Sequence, residues 1–581
     1  MQTFYTDEKN VQVIISLLKQ NNIKKIVASP GSTNITFVAS IQNDPFFEVF
    51  SSVDERSAAY MACGIAAETG EIVVLSCTGA TASRNYFPGL TEAFYRKLPI
   101  LSMTSHQGAS RIGHNIAQVL DVSVMPKDTA KLVIELPFVK DEDDLWDCEI
   151  KVNKAMLELK RYGGGPVHLN LYTKYSLNYN VKELPQYRKI DRINTSDNFP
   201  QLPSGYIAIF IGSHLKFNDN QTKSIERFCE SNNAVIFCDH TSGYYGKYRL
   251  NFALEAIQQR SIEKNPQLNP KLIIQVGEIT GDYYTLNIKS KYVWRVNEDG
   301  EIKDNYRKLT HVFAMPEQIF FDNYAKVEMV KNCKYYEECR ELLSKTRGMV
   351  PELPFSNIWI ASSLALKIPS NSVVHFAILN SLRSWNFFDL PDSVQSFSNV
   401  GGFGIDGCVS SLIGASLFDK DKLFYGVIGD LAFFYDINVL GNRHVGNNLR
   451  ILIVNNGKGT EFRHSSNFAT LAGLQDSADD FIAAGTHFGN KSPTLIKNYS
   501  ENLGFEYISA SNKDQFSKVY EQFINPKLNQ KSMVFEVFTD SDDETNALQI
   551  IRTLHENKTT KIIKDVLGRK TIDILKKKLR K

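Results

Sequence analysis

The sequence predicts an α/β protein built from three consecutive open parallel sheets. Two observations carry that prediction. Short apolar runs alternate with longer amphipathic stretches, and the runs fall into three groups separated by polar, proline-marked segments. A third is size: 581 residues exceed one ordinary domain, and an apolar content of 43% can fill several cores.

In the first group, "KKIVAS" (24–29), "EIVVLSC" (71–77), "LPILSMT" (98–104) and "GPVHLNL" (165–171) read as buried strands with helical stretches between them. A charged, proline-punctuated stretch near 182–204 precedes the second group, "YIAIFIG" (206–212), "AVIFCD" (234–239) and "KLIIQVG" (271–277). The third follows "GMVPELP" (348–354) and contains "SVVHFAI" (372–378), "KLFYGVIGD" (422–430), "RILIVNN" (450–456) and "SMVFEVF" (532–538). The expected domains are 1–182, 200–345 and 350–545, with a basic helical tail over 546–581. The first and third could share one fold.

Composition narrows the function. The net charge of +2 gives no nucleic-acid footprint over the whole chain, and the basic end "KKKLRK" (576–581) reads as a solvated terminus. The start, "MQTFYTDEKNVQVIISLL", has no basic-then-apolar signal, and no run approaches the roughly 20 apolar residues of a membrane span. The expectation is a soluble, cytoplasmic protein. Its eight cysteines form no CxxC pair and are expected to be reduced, buried thiols.

In open α/β sheets, ligands sit beyond the carboxyl ends of the strands. Asp430 stands at such an end, between two apolar runs, where an unpaired carboxylate would cost several kcal/mol. Asn456 follows 26 positions later at the end of the next apolar run, the length of one βαβ unit, with "YDINVLGNRHVG" (435–446) as the crossover helix. One carboxylate, one amide oxygen and a carbonyl of the glycine-flanked loop would make a partial oxygen shell for Mg²⁺ bridging a diphosphate. Alone, Gly-Asp would more simply cap a helix.

Gly-Asp followed by Asn-Asn-Gly at successive strand ends resembles the cofactor motif of thiamin-diphosphate enzymes. More specifically, "SPGSTNITF" (29–37), "VDERSAAY" (53–60), "TGATASRNYFPGLTEAF" (78–94) and "HNIAQVLD" (114–121) resemble the 2-succinyl-5-enolpyruvyl-6-hydroxy-3-cyclohexene-1-carboxylate (SEPHCHC) synthases of menaquinone synthesis. So do "LNSL" (379–382), "SNVGGFGIDG" (398–407), "GDLAFFYDINVL" (429–440) and "VNNGKGTEF" (454–462). The resemblance covers most of 8–180 and 350–540. It implies the three-domain fold of pyruvate decarboxylase-like enzymes: a pyrimidine-binding domain, a central domain and a diphosphate-binding domain. The middle unit lacks a G-x-G-x-x-G run and is expected to serve structure.

Carried over by motif, Glu55 would activate the cofactor's aminopyrimidine. Asp430, Asn456 and the Lys458 carbonyl would hold Mg²⁺, and Gly429, Leu431 and Ala432 would flank the diphosphate. Ile405 would be the apolar wedge under the cofactor, with Gly404 beside the pyrimidine and with Thr81 and Gln118 lining the adjoining pocket. Substrate candidates are Asn34, His106, Arg383, Trp385 and Arg463. The resemblance further implies a homodimer or homotetramer with sites at the subunit interface.

SEPHCHC synthases bind acidic substrates, 2-oxoglutarate and isochorismate, and arginine forks suit carboxylates. Here Thr33 stands in place of one family arginine, His106-Gln107 in place of a second, Val400 of a third, and one after "NSL" falls near Trp385. The family's basic pair in the middle unit falls at Asp282-Tyr283. Arg84, Arg111, Arg383, Arg463 and His464 are possible replacements, and His106 and His114 are proton-transfer candidates. The expected activity is decarboxylation of a 2-oxo acid with transfer of the acyl unit to an acceptor recognised differently. Alternatives are genuine SEPHCHC synthesis, simple decarboxylation, or a catalytically silent scaffold.

Overall fold

The computed structural model describes residues 4–258, 265, 268–325, 333–464, 467–485 and 492–556. The chain divides into two compact units, Met1–Asp197 with Gly300–Val312, and Asn198–Asp299 with Phe313–Lys581.

The first unit holds six parallel strands: β1 (Lys25–Ala28), β2 (Glu48–Ser51), β3 (Val73–Thr78), β4 (Ile100–His106), β5 (Leu132–Leu136) and β6 (Val167–Tyr172). Their order is β2-β1-β3-β4-β6-β5. Each predicted apolar run of this group is a strand. The four-residue edge strand β2, "EVFS", is largely exposed and gives no apolar run to read. Two apolar layers cover the sheet, one built on the helix Lys9–Gln20 and one on the alanine-rich helix Glu55–Thr69.

In the second unit the middle sheet contributes β7 (Ile207–Ile211), β8 (Ala234–Cys238), β9 (Arg249–Asn251), β10 (Leu272–Val276) and β11 (Tyr292–Val296), in the order β9-β8-β7-β10-β11. The third sheet follows with β12 (Val373–Phe376), β13 (Gln395–Ser398), β14 (Phe424–Gly429), β15 (Leu449–Asn455), β16 (Glu506–Ala510) and β17 (Met533–Phe538). Its order, β13-β12-β14-β15-β17-β16, repeats that of the first sheet strand for strand. The shared fold suggested by sequence is present.

One element differs from expectation. The crossover between β14 and β15 is not one helix over 435–446. A short helix, Asp430–Tyr435, starts at the strand end, and a 3₁₀ turn, Ile437–Gly441, completes the turn. Gly441, Asn442, Gly446 and Asn447 explain why the helix does not continue, because glycine and asparagine are poor helix formers. All eight cysteines are buried and free. No helix among the described residues is long and apolar enough to cross a membrane. The last helix among the described residues is Ser541–Arg552, and the expected basic tail beyond residue 556 lies outside them.

Candidate active site

In the second unit the site begins where β14 stops. Gly429 is the N-cap of the short helix and Asp430 its first residue, so the carboxylate is not the cap. Asp430 is 2% exposed and accepts the Gly457 N–H at 3.0 Å. A Cβ on Gly429 would meet nothing, so the chain is open there.

The two asparagines that end β15 have separate roles. Asn455 donates its amide to the buried Glu536 at 2.7 Å. Asn456 keeps a buried side-chain oxygen with no hydrogen-bond partner. Such an orphan acceptor costs about 1–3 kcal/mol, and a cation would satisfy it. The Lys458 carbonyl accepts the Thr460 N–H at 3.0 Å, leaving its second lone pair available. The described residues include no cluster of three or more His, Cys, Asp or Glu able to hold a metal. One carboxylate with amide and carbonyl oxygens suits Mg²⁺, which keeps few protein ligands when phosphate and water supply the rest. The donor set therefore fits a Mg²⁺-bridged diphosphate.

Sequence reading missed what holds this loop. Asp479 accepts from Lys458 Nζ at 2.5 Å and from Arg463 Nε and Nη2 at 2.9 and 2.5 Å. Gly459 donates to the Ala483 carbonyl at 2.6 Å. Segment 479–483 thus straps the loop from outside. No spacing rule connects Asp479 to the motif.

Gly401 and Gly402 border open space, and a Cβ on Gly404 would lie 2.4 Å from Asp406 Oδ1. Ile405 is half-buried and packs on both apolar layers of the third sheet. Leu431 is half-buried and Ala432 buried. Arg383 pairs with Glu461 at 2.5 Å and lies 4.6 Å over the Tyr283 ring. Trp385 is in the core, its indole N–H on Asn357 at 3.2 Å. His464, Glu544, Asn380 and Arg383 line a cavity of about 40 Å³. Burial drives the His464 imidazole down to about 4 and lifts the Glu544 carboxyl to about 7. The Glu544 carboxyl accepts the Asn357 N–H at 3.0 Å and the Thr539 hydroxyl at 2.7 Å. Asp282 is also buried, its carboxyl raised to about 6 by desolvation.

In the first unit, Glu55 opens the helix Glu55–Thr69 just after β2, with Asp54 as N-cap accepting the Ser57 N–H at 2.9 Å. The Glu55 carboxylate is half-exposed and accepts the Asn85 amide at 3.4 Å. Small residues allow close packing behind it: a Cβ on Gly89 would sit 2.5 Å from the Ala59 Cβ. Thr81 is exposed at the start of the helix Thr81–Asn85, after Ala80 at φ 61°. Gln118 is exposed in an irregular segment at φ 64°, with its carbonyl near Gly79.

Other candidates point inward. Asn34 is 1% exposed and donates to the Ser29 carbonyl at 3.0 Å. Thr33 is equally buried, its hydroxyl on the Ser105 carbonyl at 2.6 Å. His106 is 2% exposed, and its Nδ1 accepts the Gly108 N–H at 3.2 Å. That leaves the ring hydrogen on Nε2, 3.8 Å from Glu135, while burial lowers the imidazole pKa. His106 therefore anchors a loop from beneath. His114 is exposed in the segment before Gln118.

Residues 9–125 match the family model described as "Thiamine pyrophosphate enzyme, N-terminal TPP binding domain". Over 572 residues the chain is 30% identical to a 2-succinyl-5-enolpyruvyl-6-hydroxy-3-cyclohexene-1-carboxylate synthase of Bacteroides thetaiotaomicron, covering 94% of this chain and 98% of that one. The chain belongs to the SEPHCHC-synthase family of thiamin-diphosphate enzymes. A synthase of the same name from Bacteroides fragilis is 29% identical over 571 residues, with the same coverage. One from Flavobacterium johnsoniae is 25% identical over 549 residues, covering 91% of this chain and 95% of that one. Membership makes this a thiamin-diphosphate-dependent decarboxylating acyl-transfer enzyme. Its cofactor is accompanied by a divalent metal, typically Mg²⁺.

Proposed function

We propose that this enzyme decarboxylates a 2-oxo acid and transfers the acyl unit to an acceptor that it recognises differently from SEPHCHC synthases. The observation behind this reading is the state of the basic residues. Thr33 and Val400, in place of family arginines, are buried, and Arg383 and Arg463 are neutralised by Glu461 and Asp479. A carboxylate left without its fork costs a few kcal/mol, so acceptors bearing several carboxylates lose binding.

In this reading Asp430, the Asn456 amide oxygen and the Lys458 carbonyl hold Mg²⁺, and Gly429, Leu431 and Ala432 flank the diphosphate. Gly404, Ile405, Thr81 and Gln118 shape the cofactor's surroundings, and Glu55 exchanges a proton with its aminopyrimidine. Bound thiamin diphosphate supplies the electron sink for loss of CO₂. As the family resemblance implies, we further propose a homodimer or homotetramer in which each site draws on two subunits, Glu55 from one and Asp430 from the other, within a cytoplasmic biosynthetic enzyme. The domains are assigned as 1–182, 200–345 and 350–545.

A second reading, SEPHCHC synthesis from 2-oxoglutarate and isochorismate, is favoured by end-to-end alignment with the Bacteroides synthases. Incubating the Mg²⁺-loaded holoenzyme with a panel of 2-oxo acids, with and without isochorismate, separates the two. Cofactor-dependent CO₂ release without SEPHCHC formation supports the proposal, and efficient SEPHCHC formation supports the second reading. No CO₂ from any donor would indicate a silent homologue.

A further inference from the structure

Beside the metal-site loop, Asn380, Arg383, Glu461, His464, Glu544 and Arg552 line the cavity of about 40 Å³. It has no part in holding the cofactor as described above, and its hydrogen bonding is incomplete.

Asn380 sets the state of His464. With its amide turned so that every donor meets an acceptor, Asn380 donates to His464 Nε2 at 3.1 Å and to Glu461 at 2.8 Å, and it accepts the Glu461 N–H at 3.2 Å. Burial keeps the imidazole neutral, its pKa down at about 4. An acceptor at Nε2 places the ring hydrogen on Nδ1, and that atom is buried without a partner. His464 as a whole is 7% exposed. Arg383 repeats the pattern: its Nη1 donates to Glu461 at 2.5 Å, while its Nε is buried and unpartnered.

The carboxylate and amide oxygens of the lining, by contrast, are already engaged. Glu461 accepts from Arg383 and Asn380, and Asn380 accepts from Glu461. Glu544 accepts the Asn357 N–H with both oxygens and the Thr539 hydroxyl with one. What the cavity lacks is therefore an acceptor. A water brings two hydrogens that need acceptors of their own, whereas an anion brings none. Charge agrees with this choice, because Arg383 and Arg552 face one ionised carboxylate, Glu461, and burial lifts the Glu544 carboxyl toward neutrality. The volume has room for one atom-sized ion and none for an organic acid.

We propose that this cavity binds one small monovalent anion of halide size, held by the Arg383 Nε–H and the His464 Nδ1–H. The anion clamps the 3₁₀ turn Thr460–Arg463, which ends the loop bearing Asn456 and Lys458, to the helix Asn380–Trp385. The site does not depend on which 2-oxo acid the enzyme takes.

Two measurements on the full-length protein test it. Crystals grown in sodium bromide and measured at the bromine absorption edge should show an anomalous peak between the two nitrogens. Water alone in the cavity, or bromide only elsewhere on the protein, overturns the proposal. In solution, replacing gluconate by chloride at constant ionic strength should raise Tm by about 2–4 °C and then saturate. Arg383→Gln and His464→Phe should each lose that rise. An equal rise in wild type and both variants, or none in wild type, overturns the site; a bromide peak without a chloride effect in solution marks an adventitious ion only and overturns it too. Should either variant fail to fold, the wild-type chloride titration and the bromide map still decide.

Discussion

The Gly457 N–H donates to the Asp430 carboxylate at 3.0 Å, tying the loop after β15 to the helix after β14. This bond sets a buried carboxylate beside an asparagine whose side-chain oxygen has no donor. Asp430→Asn keeps an acceptor for Gly457 but removes the charge a divalent ion needs. Without ligands, its stability should stay within about 1 kcal/mol of wild type, the size of one hydrogen bond. Cofactor at 100 times its Kd should stabilise wild type by about 2.7 kcal/mol and the variant by almost nothing. Thermal unfolding with and without Mg²⁺ and thiamin diphosphate checks both.

Asp430 and Asn456 were legible because chemistry and topology agree there: two polar residues end adjacent buried strands, one βαβ unit apart. Most buried strands were legible for the same reason, as runs apolar on both faces, but β11 (Tyr292–Val296), buried and interrupted by Arg295, was not. Edge strands such as β2 were not, since exposure removes the pattern. Nor was the strap, because Asp479 reaches Lys458 and Arg463 through folding of an irregular segment. Burial was the other blind spot. Nothing local says that Trp385 and Thr33 turn inward while Arg111 stays outside.

The strap makes its own prediction. Asp479→Asn should release Lys458 and Arg463 and loosen the 456–460 loop. Supporting groups behind metal ligands are typically worth about 10–100-fold in metal affinity. Mg²⁺ titration in the presence of excess thiamin diphosphate should show a weakening of that size, with the ligand-free fold intact by circular dichroism.

Glu55 is poised but loosely held, with the Asn85 amide 3.4 Å from its carboxylate. Glu55→Gln should therefore leave cofactor affinity within a few-fold of wild type. Exchange of the thiazolium C2 proton in bound cofactor should slow by about 10²–10⁴, the range for a lost general acid–base group. Undiminished exchange would remove Glu55 from the mechanism.

Acid should destabilise the protein through its buried histidines. His168 is 1% exposed, bonded to Ser102 and Asn170, and burial holds its imidazole down at about 4. Between pH 6.5 and about 4 the unfolded chain binds a proton there that the native state does not. Its contribution is thus fully present above pH 6.5 and falls by about 1.4 kcal/mol per pH unit on acidification. Glu544, raised to about 7, acts oppositely, favouring the fold below pH 4.5 and losing that contribution as pH rises through 7. Urea unfolding across pH 4–7 should show a shallower acid limb in His168→Gln than in wild type.

The most direct test is calorimetric titration of thiamin diphosphate into Mg²⁺-saturated protein, wild type beside Asp430→Asn. Saturable heat at one cofactor per chain is expected in wild type and none in the variant. Equal heats in the two proteins, or none in wild type, would contradict a Mg²⁺-bridged diphosphate held by Asp430.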